Sequence, residues 1–236
     1  MKIAVFAYNF PHKKTQDFLL RLFLEGFKID MVLAANPVKL NLPPSNLRVK
    51  LRYVNLIHPQ KICDRLKILY KIVDHNSPEV ASLLRKNNIE VGIIAGARIL
   101  KKHIIESVTK GIINFHPAFL PDIRGLDSFK WSIYYDIPLG VTAHFIDEKV
   151  DAGRIIKREE IPIYKDDTFT DLSLRLDETQ VNMLPEVLEI IREKKLEDFP
   201  EVDLTKGRKN HPMSVEIEKI VKEKFEDYKK IFSKEN

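Results

Sequence analysis

The sequence predicts an α/β protein: a parallel-rich central sheet flanked by helices, with a C-terminal helical extension. Three observations carry this. Short apolar runs alternate with segments of helical period, the pattern of strand–helix–strand units. Residues 91–95, Val-Gly-Ile-Ile-Ala, are nearly all apolar, as a strand covered on both faces should be. Residues 111–113 form another apolar run, which ends in two polar side chains at alternate positions, Asn114 and His116. Residues two apart on a strand share a face, and open parallel sheets bind ligands at strand C-termini. An Asn and a His that merely cap a strand would be the plainer alternative.

Taken in order, residues 2–8 read as the first strand. The turn after it, Asn9-Phe-Pro-His-Lys-Lys14, has no glycine. A dinucleotide-binding turn would be glycine-rich, so this argues against NAD. Thr15 is placed to cap a helix that ends near Gly26, with Phe18, Leu19, Leu22 and Phe23 on one face. Residues 29–34 read as a strand, and residues 36–46, with three prolines, as a surface loop. Residues 52–57 and 68–73 look strand-like, with a short helix from about Pro59 between them. Ser77-Pro78 is a helix start, Ser as cap and Pro at the first helical position. After the strand at 91–95 come a turn at 96–98 and a helix over 100–108. The strand at 111–115 is stopped by Pro117 and Pro121, and Asp127 is placed to cap a helix carrying Trp131. Residues 141–146 and 154–163 read as strands. The loop between them carries Asp151, followed by Ala152 and Gly153, small residues that permit close approach. Thr168 opens a long helix that Pro185 should kink or split. Residues 199–211 show no period but hold Lys206, Arg208 and Lys209. Ser214 caps a last helix with Ile217, Val221, Phe225, Tyr228 and Phe232 in one stripe. Packing of that stripe on the chain's own core is favoured over a homodimer.

The totals bound the class. The 236 residues suffice for one full core, and a composition of 44% hydrophobic and 31% charged residues is that of a globular protein. No apolar run is long enough to cross a membrane, and the N-terminus turns polar too soon for a signal peptide. Cys63 is the single cysteine, which excludes an intrachain disulfide and fits a reducing cytoplasm. A net charge of +5 favours anionic ligands mildly. It is far from the basic stripe of a nucleic-acid binder.

Asn114, His116 and Asp151 together offer a carboxamide, an imidazole and a carboxylate, a set able to run attack of an amine on a carbonyl carbon. Their context is specific. The chain has Asn114, His116-Pro117, Leu120-Pro121 and Arg124-Gly125, then Gly140-Val141-Thr142, His144, Asp151 and Gly153. In these motifs the chain resembles the folate-dependent formyltransferases over roughly residues 1–200. The resemblance implies the formyltransferase variant of a Rossmann-like fold, with residues 1–200 as catalytic domain and 201–236 as a basic loop and amphipathic helix. It implies 10-formyltetrahydrofolate as co-substrate and Asn114, His116 and Asp151 as catalytic residues. Ala97, Arg98, Ile99 and Leu100 resemble the loop that cradles the pteridine, and Asp147 and Val150 would line the same pocket. His144 would be a support residue. A metal trio of His116, His144 and Asp151 can be drawn, but the family uses no metal. The remaining histidines, His12 among them, carry no such pattern.

The acceptor implied first is the amine of a nucleotide-linked amino sugar, as in lipopolysaccharide O-antigen biosynthesis, with Asn9, Arg124 and Ser128 as acceptor contacts. Like sugar N-formyltransferases, the chain lacks the glycine-rich phosphate loop that glycinamide ribonucleotide formyltransferase uses. Methionyl-tRNA formyltransferase is the nearest alternative, echoed in Arg124-Gly125 and Trp131. Its C-terminal barrel is not expected in residues 213–236. Formyltetrahydrofolate hydrolase is a further alternative, with water as acceptor.

Overall fold

The computed structural model describes residues 1–39, 43–47, 49 and 55–234. The strands β1 (Ile3–Tyr8), β2 (Ile29–Ala35), β3 (Leu69–Ile72), β4 (Val91–Ile94) and β5 (Gly111–His116) are mutually parallel. Two more follow in the same sheet, β7 (Gly140–Phe145) and β8 (Arg154–Glu160), giving the order β3–β2–β1–β4–β5–β7–β8. Both of these pair antiparallel. The sheet is therefore parallel-rich, as expected, with an antiparallel edge. The connection from Phe145 to Arg154 is too short to carry a parallel crossover, which needs a dozen or more residues.

Helices α1 (Lys13–Leu24), α2 (Pro59–Leu66), α3 (Pro78–Lys86) and α4 (Lys102–Ile105) fill the connections of the parallel half. β1 shows why its run is apolar throughout. Ile3, Val5 and Ala7 enter one core with α1, while Ala4 and Phe6 enter a second core with α3 and α4 on the opposite face. Later elements are α5 (Ser128–Tyr134), α6 (Phe169–Glu193) and α7 (Val215–Phe232). Val221, Phe225 and Tyr228 of α7 are buried in the α1 core, so the stripe packs on its own chain. The helix is also pinned by a nearly unexposed Glu218. Its carboxylate takes hydrogen bonds from Lys130 Nζ (2.6 Å), Ser45 Oγ (2.5 Å) and the Asn46 N–H (2.7 Å). Among the described residues no helix is long and apolar enough to cross a membrane.

Several local expectations need correction. α1 starts two residues before Thr15, whose hydroxyl instead bonds the Ala95 carbonyl at 3.3 Å. Residues 52–54 lie outside the described residues, and 55–58 are not strand. The helix expected over 100–108 is only α4. α6 runs unbroken through Pro185. Asp127 does not cap α5: its backbone is left-handed (φ 53), and its carboxylate is taken by the Met213 N–H and the Lys130 ammonium, each at 2.9 Å. Residues 199–211 are not featureless. β9 (Arg208–Asn210) pairs in parallel with β6 (Ile123–Gly125), a small second sheet beside the end of β5.

Candidate active site

Asn114 and His116 leave β5 on the face opposite Ile113 and Phe115, which are committed to the α1 core. The His116 ring is buried. Its Nε2 lies 2.9 Å from the Ile123 carbonyl, which can only accept, so Nε2 carries the proton. Nδ1 then faces Asp151 Oδ1 at 3.4 Å. Burial holds the His116 pKa below its ordinary value even though the Asp151 carboxylate pulls it up, and the Lys14 ammonium adds to the lowering. The other carboxylate oxygen, Oδ2, accepts the Gly125 N–H at 2.6 Å.

Two glycines make that arrangement possible. A Cβ on Gly125 (φ +95) would sit 2.0 Å from the Asn210 carbonyl oxygen, so only glycine lets β9 approach β6 there and aim this N–H at Asp151. Asp151 itself is left-handed (φ 48), a strained conformation of the kind that clusters at functional sites. Gly153 follows it at φ +95, and a Cβ there would lie 2.1 Å from the Phe145 carbonyl oxygen. The small residues after Asp151 thus admit backbone, not ligand.

His144 organises Asn114. It is fully buried in β7, with Nδ1 at 3.0 Å from the Ala152 carbonyl and 3.2 Å from that of Phe145. Nδ1 therefore carries the proton. Burial first, and the neighbouring His116 second, bring its pKa down to about 4, so the ring is neutral near pH 7. Its Nε2 lone pair accepts from Asn114 Nδ2 at 3.3 Å. That fixes the carboxamide with a second N–H left over.

Asn114, His116 and Asp151 all line one cavity of about 590 Å³, a size typical of small-molecule sites. Ala97, Arg98, Ile99 and Leu100 line the same cavity, as do Asp147, Val150 and Ser128. The turn at 97–100 is held from outside. Tyr8 donates to the Ala97 carbonyl (3.0 Å), and Asn76 bridges the Ile99 carbonyl (3.0 Å) and the Lys101 N–H (2.7 Å). The Arg98 guanidinium bonds the Val38 carbonyl at 3.3 Å. Asn9 and Arg124 are not among the lining residues. The Asn9 carboxamide is committed to Asn36 and Tyr70, at 2.8 and 2.7 Å. Lys206, Arg208 and Lys209 also stand off the cavity; Lys206 pairs with Asp203, and Arg208 lies over the Tyr135 ring. Among the described residues no group of three His, Cys, Asp or Glu side chains is set to hold a metal.

Sequence reasoning missed Lys14, Asp177 and Gln180, and treated His12 as uninvolved. All four line the cavity. Lys14 and His12 come from the start of α1, Asp177 and Gln180 from α6. Only the packing of α1 against α6, seen for example in the 3.2 Å bond from Arg21 to Asn182, brings them together.

Comparison with known proteins places this geometry. The methionyl-tRNA formyltransferase of Chlorobium limicola is 32% identical over 124 residues, 52% of this chain and 39% of that protein. The chain thus spans well under half of that curated relative's length. A sugar N-formyltransferase from a Shewanella species superposes with a TM-score of 0.61 at 19% identity, over 89% of this chain and 76% of the other. The formyltransferase PseJ from Anoxybacillus kamchatkensis, in complex with UDP-4,6-dideoxy-4-formamido-L-AltNAc and tetrahydrofolate, superposes with a TM-score of 0.54 at 21% identity, over 88% and 85% of the two chains. Phosphoribosylglycinamide formyltransferases are among the relatives and the structures as well. The Formyl transferase family model matches residues 34–188, well over half of the sequence and all of Asn114, His116 and Asp151. The chain therefore belongs to the formyl transferase family.

Proposed function

We propose that this chain transfers a formyl group from 10-formyltetrahydrofolate to the amine of a nucleotide-linked amino sugar. The observation that carries the chemistry is the pairing at the cavity floor: an oriented carboxamide at Asn114 beside a buried His116–Asp151 pair. The free amine attacks the formyl carbon, and negative charge develops on the formyl oxygen. The N–H of Asn114 not used on His144 is the donor for that oxygen; one such fixed donor is worth about 3 kcal/mol. The nitrogen that attacks becomes cationic and must lose a proton. His116 Nδ1 and Asp151 Oδ1 face each other with room for one proton between them, so the pair takes it up. The intermediate then collapses by breaking the bond to folate N10, which regains a proton. General base help of this kind contributes about a hundred- to ten-thousand-fold.

Folate is assigned to the side of the cavity formed by residues 97–100, with Asp147 and Val150. There Tyr8 and Asn76 fix the turn from outside, which sets its backbone for a flat heteroaromatic edge. The PseJ complex, with tetrahydrofolate and a UDP-linked formamido sugar, supports both substrate classes by analogy of fold. The glycine-free turn at 9–14 supports the sugar over glycinamide ribonucleotide, because it offers no backbone nest for a phosphate. In this reading residues 1–200 carry the reaction. Residues 201–236 brace Gly125 through β9 and Lys130 of α5 through α7, and the reaction belongs to cytoplasmic O-antigen assembly. The sequence match to the C. limicola enzyme favours charged initiator tRNA as second reading. An assay of tetrahydrofolate release decides, using a dTDP-linked 4-amino-4,6-dideoxyglucose, glycinamide ribonucleotide and methionyl-tRNA in parallel. Fastest turnover with the amino sugar is expected; faster turnover with either other acceptor overturns the sugar assignment.

A further inference from the structure

We infer that Lys14 and Asp177, assisted by Gln180, form a subsite for a neutral polar substituent, a hydroxyl or acylamino group, next to the reacting amine of the acceptor. This rests on the amino-sugar reading and deepens it. All three residues line the same cavity as Asn114, His116 and Asp151. Lys14 donates to the Phe115 carbonyl at 3.2 Å, one residue from His116, so its ammonium sits at the edge of the reacting floor. An ammonium has three donors; among the described residues this is the one hydrogen bond the Lys14 ammonium makes, and it also lies over the Phe18 ring at 5.2 Å. Asp177 is the complementary group. Its hydrogen bonding among the described residues is a single long contact, 3.4 Å from Gln180 Nε2, and it has no ion pair within 4.0 Å. The neighbouring Lys13 is already taken by Asp17 at 2.5 Å.

Lys14 and Asp177, both half-buried, place two opposite charges on one cavity wall with no ion pair between them. Both feel the loss of water: burial brings the Lys14 pKa down to about 8 and raises that of Asp177. A hydroxyl completes the set, since it donates to the carboxylate and accepts from the ammonium. An acylamino group does the same through its N–H and its carbonyl. A phosphate cannot, because what it gains at Lys14 it meets as like charge at Asp177. The wall therefore selects the uncharged part of a substituted sugar and directs any diphosphate elsewhere.

The test compares wild type with Asp177→Ala and Asp177→Asn, using the dTDP-linked 4-amino-4,6-dideoxyglucose and its 3-deoxy analogue. Wild type should discriminate against the 3-deoxy compound. Asp177→Ala should raise the KM of the full acceptor by about ten-fold or more and lose the discrimination, with the KM for 10-formyltetrahydrofolate unchanged. Asp177→Asn, which still accepts a hydrogen bond, should fall between. If Asp177→Ala does not fold, Lys14→Met carries the same expectation. An unchanged acceptor KM, a retained discrimination or an equal rise in the folate KM overturns the subsite alone. A wild type that does not turn over the amino sugar overturns the subsite together with the reading it rests on.

Discussion

At the residue scale, the two histidines of the floor do different work because their protons are fixed at different nitrogens. His116 donates through Nε2 and leaves Nδ1 to Asp151. His144 donates through Nδ1 and leaves Nε2 to Asn114. His144 is thus a positioning residue. Replacing it by leucine frees the Asn114 carboxamide to rotate, and kcat should drop by about ten- to a hundred-fold with the folate KM little changed. His144→Gln should restore part of the loss, since an amide oxygen can accept from Asn114. Equal kcat for the leucine variant and wild type in steady-state assays would contradict this role. Asn114, His116 and Asp151 were legible in the sequence because each falls in a dense motif. Lys14 and Asp177 were not, because a charge on an amphipathic helix looks solvated until the helix it faces is known.

At the scale of elements, the site depends on two places where chain segments cross closely. Gly153→Ala puts a side chain on a φ of +95 and a Cβ 2.1 Å from a carbonyl oxygen. Strain alone should cost on the order of 1–3 kcal/mol, read as a lower midpoint in urea, and activity should fall further because Asp151 is two residues away. A variant with wild-type midpoint and rate would show that the loop tolerates the change. The second place is the Glu218–Lys130 pair that joins α7 to α5. Glu218→Leu leaves a buried ammonium with the Ser45 hydroxyl and the more exposed Asp127 carboxylate, and should cost about 3 kcal/mol. An unfolding free energy equal to wild type would contradict that. The long elements were readable from period and caps: β1, β2, β4, α3, α6 and α7 all fall where apolar spacing and Ser or Thr caps put them. β6 and β9 were not readable. Three residues each, Ile-Arg-Gly and Arg-Lys-Asn, are too few to show alternation, and their pairing is set by Gly125.

At the scale of the whole molecule, burial of neutral histidines ties stability to pH. The pKa of His144 is brought down to about 4, and those of His116, His12 and His75 are also lowered by burial. Between about pH 6.5 and pH 4 the unfolded chain binds protons that the folded chain refuses, so stability falls as pH falls through that window. His144 alone should cost about 2 kcal/mol at pH 5 relative to neutral pH. Glu218 and Asp167, whose pKa values end below the usual carboxylate range once hydrogen bonds from Lys130 and Arg175 outweigh burial, extend the loss to lower pH. Thermal midpoints should therefore decline steadily on acidification below about pH 6.5; a flat profile down to about pH 5 would contradict buried neutral histidines. The overall α/β class was legible from the alternation of elements, but the antiparallel edge was not, since a strand-like run does not state its direction.

The chemistry proposed for the cavity depends on one proton leaving the attacking amine for the His116–Asp151 pair. The most direct measurement is turnover of Asp151→Asn beside wild type, with binding of a non-reactive folate analogue measured on the same samples. The amide keeps the shape of the side chain and gives up its capacity to take a proton. Formyl transfer should fall at least about a hundred-fold while folate affinity is retained. Near-normal turnover by Asp151→Asn would contradict the proton transfer assigned to this site.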